Sequence, residues 1–89
     1  GAIIGGNECM IRRYAELCND YKCKVKVYPK MTSSLKNMGT PDLLVLFTNT
    51  VSHKMVHCAL GKASTHTKIA RSHSSSIEAL KRILDEYTV

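Results

Sequence analysis

"DLLVLFTNTVSHKMVHC", residues 42–58, is the stretch on which the fold turns. Leu43-Leu44-Val45-Leu46-Phe47 is an unbroken apolar run of strand length, and such runs belong to parallel strands buried on both faces. Thr48-Asn49-Thr50 ends the run in a polar turn. A helix is predicted from Ser52, with Met55, Val56, Ala59, Leu60 and Ala63 as its buried stripe. A strand, a short turn and an amphipathic helix in that order are one half of a β-α-β unit.

The same alternation extends both ways. Upstream, "AIIGGNE" (residues 2–8) reads as a short buried strand ending in a Gly-Gly-Asn turn. Met10, Ile11, Tyr14, Leu17, Cys18 and Tyr21 recur at helical spacing, which predicts a helix over residues 8–21 capped by Asn7. "KVKVY" (residues 24–28) is a second strand, closed by Pro29. Lys22, Lys24 and Lys26 fall on one side of it, as lysines do on edges protected from aggregation. Residues 32–38, "TSSLKNM", are a short helix or loop that turns Leu35 and Met38 inward. Downstream, "TKIARS" (residues 67–72) is a fourth strand. The last helix carries a capping box, Ser75 with Glu78, and the stripe Ile77, Leu80, Ile83, Leu84 and Tyr87.

This order predicts an α/β fold with one domain over residues 1–89. Its core is an open parallel sheet of about four strands, with helices on both faces. Right-handed crossovers favour the strand order 2-1-3-4. Ligands of such sheets bind beyond the carboxyl ends of the strands, where the winding reverses, here between strands one and three. Gly5-Gly6-Asn7 and Thr48-Asn49-Thr50 are therefore expected to face each other, with Arg71, Ser72, His73 and Ser74 approaching from the fourth strand.

That rim has the chemistry of an anion site. Helix starts offer N–H groups and positive dipole ends, Arg71 adds a charge, and glycines at 5 and 6 let a ligand approach the backbone. The expected ligand-binding residues are Gly5, Gly6, Asn7, Thr48, Asn49, Thr50, Ser52, His53, Arg71, Ser72, His73 and Ser74. The expected ligand is a phosphate, nucleotide or carboxylate. Neither GxGxxG nor GxxxxGK[ST] occurs, so no particular nucleotide class is indicated. The rim also carries two histidines. A helix N-terminus favours the neutral imidazole, so His53 and His73 are the alternative candidates for a metal or haem iron, with Cys9 or Met10 in reserve. His53 and His57 have the i, i+4 spacing of helical zinc ligands but lack the Glu of HExxH.

Catalysis finds less support. There is no GxSxG elbow, and no acid close in sequence orients either histidine. Of the acidic residues only Glu8 is placed to reach the rim, so a binding module is expected rather than an enzyme.

Composition sets the outer limits. The 44% hydrophobic and 22% charged residues are those of an ordinary globular chain. Thirteen Lys plus Arg against seven Asp plus Glu give +6, which suits anionic partners. Nucleic acid is among these, but by charge alone, since Tyr14, Tyr21 and Tyr28 form no RNA-binding motif. No apolar run approaches the ~20 residues that span a bilayer, so no membrane partner is expected and a cytoplasmic location is. Cys9, Cys18, Cys23 and Cys58 form no CxxC pair and do not have zinc-ribbon spacing. Two open sheet edges and a thin core favour a homodimer.

"IIGGNECMIRRY", "PDLLVLFTNTVSHKMV" and "ARSHSSSIEALKRIL" together resemble short members of the bacterial family known as domain of unknown function 2325. The resemblance covers nearly the whole chain and implies a small Rossmann-like or flavodoxin-like cytoplasmic domain, without assigning an activity. Longer relatives carry a related VSH segment, matched here by Ser52 and His53, and some of them look like haem proteins. Those relatives tend to have His-His-Asp-Gly-Gly after the second strand, where this chain has "PKMTSSLKN".

Overall fold

A computed structural model describes residues 1–88; Val89, the last residue of the expected domain, lies outside the described residues. The elements in chain order are β1 (Ala2–Ile4), a 3-10 turn (Glu8–Met10), α1 (Ile11–Asp20), β2 (Lys26–Tyr28) and α2 (Ser33–Lys36). They continue with β3 (Leu43–Phe47), α3 (His53–Leu60), β4 (Lys68–Ser72) and α4 (Ile77–Tyr87). The four strands form one all-parallel sheet in the order β2-β1-β3-β4, as the sequence predicts. Ile4 stands opposite Tyr28 on one side and Leu46 on the other, and Phe47 stands opposite Ser72.

Alternation along the strands builds two cores. Ile3, Leu43, Val45, Phe47 and Ala70 point to the face covered by α1 and α4, where they meet Tyr14, Cys18, Leu80, Ile83 and Leu84. Ala2, Ile4, Tyr28, Leu44 and Leu46 point to the other face, under Leu35 of α2 and Met55 and Ala59 of α3. All five residues of β3 are buried, which is why its sequence shows no polar alternation. Truncating Leu44, Leu46 or Leu80 to alanine would cost about 2–5 kcal/mol. At the β2 edge Lys22, Lys24 and Lys26 are exposed, while Cys23, Val25 and Val27 pack against the α1/α4 core.

Two helix starts differ from expectation. The predicted 8–21 helix opens with a 3-10 turn, because the Asn7 carboxamide accepts from the Cys9 amide at 3.0 Å and the Met10 amide donates to the Asn7 carbonyl at 2.9 Å. These short-range bonds tighten the first turn, and regular α-helix begins only at Ile11. At α4 the cap is Ser76, not Ser75: the Ser76 hydroxyl accepts from the Ala79 amide at 3.1 Å. Glu78 therefore sits one position too early for a capping box, though it still faces the positive end of the helix. At the other end of α1, the Lys22 amide donates to Asn19 and the Cys23 amide to Cys18, both at 2.9 Å. Lys22 takes φ +56, so the pattern is a Schellman turn with lysine at the position glycine usually holds.

Candidate functional site

Parallel strands place the carboxyl ends of β1, β3 and β4 on one lip, and three sets of hydrogen bonds join the turns that follow them. The Gly6 amide donates to the Thr50 hydroxyl at 2.7 Å, tying the first turn to the second. Thr48 ties the second to the third: its amide donates to the Ser72 carbonyl at 2.8 Å, and its hydroxyl lies 3.0 Å from His73 Nδ1. The buried Tyr14 closes the triangle, its hydroxyl accepting from the Asn7 amide at 3.2 Å and donating to the Ser75 carbonyl at 2.6 Å. The expected gathering of the three segments is therefore present. Tyr14 is its fastener, although in the sequence it reads only as one residue of an apolar stripe.

The first turn is filled by the protein itself. Gly5 and Gly6 have φ of +89 and +91, in the region that favours glycine. A methyl group on Gly5 would run into Val51 Cγ1 and lie 2.7 Å from the Thr50 hydroxyl. One on Gly6 would lie 2.8 Å from the Tyr14 ring. The close approaches that these glycines permit are those of the chain's own side chains. Their amides are engaged as well, Gly5 with the Tyr28 carbonyl at 2.8 Å and Gly6 with Thr50. Beside them, Glu8 meets Lys30 from the end of β2 at 2.9 Å. The hydrogen bond to Glu8, and then its charge, holds the Lys30 ammonium above the usual lysine range. With side chains 71% and 55% exposed, this pair contributes little to stability.

The side formed by β3 and β4 is open. Ser52 caps α3 by accepting from the Met55 amide at 3.2 Å, which leaves His53 and Lys54, the first two residues of the helix, without intrahelical acceptors for their amides. The serine loop shapes itself: Ser72 Oγ donates to the Ser74 carbonyl at 2.7 Å and accepts from its amide, and Ser74 Oγ donates to Ser76 Oγ at 3.1 Å. The surplus hydroxyls of "RSHSSS" thus fix a loop conformation. Among the described residues, the side chains of Asn49, His53 and Arg71 make no hydrogen bond or ion pair, and all three are exposed. Arg71 stands opposite Leu46, one residue before the loop. His73 has one ring nitrogen committed to Thr48, so Nε2 is the one turned to other partners.

Among the described residues no group of three His, Cys, Asp or Glu side chains is placed to hold an ion. No pocket is found among the described residues. No helix among the described residues is long and apolar enough to cross a membrane.

The family described as "uncharacterized protein conserved in bacteria" (DUF2325) matches residues 2–87, and the chain belongs to that family. No curated protein and no solved structure matches it.

Proposed function

We propose that this member of the DUF2325 family is a non-catalytic module that binds a small anion (phosphate, nucleotide or carboxylate) at the carboxyl ends of β3 and β4. The reading is carried by the Thr48–His73 bond, which fixes an imidazole on the lip of the sheet from which α3 and α4 both begin. The first amides of both helices lack intrahelical acceptors, and both dipoles present their positive ends there. Arg71 supplies a full charge not taken up by an ion pair among the described residues. Ser52, Ser72 and Ser74 shape the two helix approaches, Asn49 and His53 offer polar groups, and Thr50 ties the Gly5-Gly6-Asn7 turn to the same lip. Among the described residues no carboxylate bonds to His53 or His73.

Thermal unfolding with inorganic phosphate, nucleoside phosphates and simple carboxylates tests the proposal. An anion at about ten times its Kd should stabilise the fold by about 1.4 kcal/mol. In a chain of this size that is a rise of several degrees. The rise should disappear in Arg71→Ala and in His73→Ala. If no anion raises the melting temperature at millimolar concentration, the reading fails.

A further inference from the structure

We propose that Cys18 and Cys23 form a dithiol site, separate from the rim, that reacts with a low-molecular-weight disulfide to close an internal Cys18–Cys23 bond. The geometry follows from the Schellman turn. The Cys23 amide donates to the Cys18 carbonyl at 2.9 Å. Adding the covalent bonds on either side keeps the two Cα atoms within about 6.8 Å. Disulfides span Cα separations of about 4.4–6.8 Å. In this turn the two side chains occupy the positions that meet in a hydrophobic contact, and both pack into the core between α1, α4 and the sheet. The other two thiols are elsewhere: Cys9 is exposed on the 3-10 turn, and Cys58 packs on the opposite face.

The two thiols differ in access, which sets their order of action. Cys18 is buried and Cys23 only partly so. Burial first, and then the neighbouring Cys23, push the Cys18 thiol up to about 11. Cys23 is therefore the entering nucleophile. Its thiolate attacks one sulfur of the oxidant RS–SR, expelling RS⁻ and leaving a mixed disulfide at Cys23. Cys18 then gives up its proton to solvent base and attacks the Cys23 sulfur, expelling the second RS⁻. In sum, two protein thiols and RS–SR become one protein disulfide and two RSH. Because the second step needs the Cys18 thiolate, closure should quicken as the pH rises from neutrality to pH 9. The product would clamp the end of α1 to the segment that enters edge strand β2.

The test uses the chain with Cys9→Ser and Cys58→Ser, whose circular dichroism is first matched to the parent, and glutathione disulfide as oxidant. The expected result is loss of both titratable thiols, a monomer lighter by about 2 Da, and a proteolytic fragment in which Cys18 and Cys23 are linked until reduced. Retention of both thiols, or a glutathione adduct at Cys23 that never resolves, would overturn the proposal. Adding Cys23→Ser, a change at a partly exposed position, should leave the Cys18 thiol titratable. Thiol loss persisting in that variant, through bridging between molecules or a glutathione adduct at Cys18, means that Cys18 reacts without Cys23 and also overturns it. Should the serine background misfold, mapping of linked fragments from the unaltered chain separates the same outcomes: a Cys18–Cys23 link supports the proposal, and its absence overturns it.

Discussion

The glycine turn after β1 and the serine loop after β4 share one lip of the sheet, yet they use their polar groups in opposite ways. Gly5 and Gly6 are buried, and their bonds reach Thr50 and Tyr28, far along the chain. The serine hydroxyls bond only to neighbours two or three residues on, and the loop faces solvent. Long-range bonds turned inward make the first turn a keystone, whose change unsettles the fold. In the second the Ser72 and Ser75 carbonyls and the His73 ring are held from afar, while the local bonds of its hydroxyls make a ready surface whose outward groups can change while the fold stands. The sequence alone shows glycine in one and serine in the other, either of which is a familiar companion of bound phosphate.

The largest expected effect follows from the keystone role. Gly5→Ala adds a methyl group against Val51 and Thr50 at a φ of +89, and should cost about 3 kcal/mol or more, read as a lowered urea midpoint. A loss below about 1 kcal/mol would erase the distinction between the two turns. Next comes the fastener: Tyr14→Phe strands the Ser75 carbonyl and the Asn7 amide, for an expected loss of about 1–3 kcal/mol with the ring packing kept. Within the serine loop, Ser76→Ala should cost about 1 kcal/mol through the lost cap, and Ser75→Ala should stay within about 0.5 kcal/mol. A reversed ranking would restore Ser75 as the cap. Smallest of all, His73→Ala should move stability by no more than about 0.5 kcal/mol, since the ring is exposed and its one bond is to a hydroxyl.

What is legible in the sequence divides along the same line. The all-buried β3 and the stripes of α1 and α4 are visible as apolar residues recurring with the spacing of a strand or helix, and the sheet order follows from the handedness of the crossovers. The convergence of the three turns also follows, because parallel strands put every carboxyl end on one side. The partners of the polar groups are out of reach. Gly6 meets a hydroxyl 44 positions away and Tyr14 a carbonyl 61 positions away, pairings that no local spacing encodes. The cap of α4 falls one residue beyond the expected Ser75 for a related reason. Ser74, Ser75 and Ser76 are chemically equivalent in the sequence, and what distinguishes them is Tyr14, which takes the Ser75 carbonyl from the neighbouring helix α1. Lys22 hides the Schellman turn, since the usual glycine signal is missing there.

Titrating inorganic phosphate or a nucleoside phosphate into isotope-labelled protein, and following the backbone amides by nuclear magnetic resonance, tests the division most directly. Saturable shifts confined to residues 48–54 and 71–78, with Gly5 and Gly6 nearly still, are the predicted outcome. Shifts centred on Gly5 and Gly6, or none anywhere at millimolar anion, would contradict it.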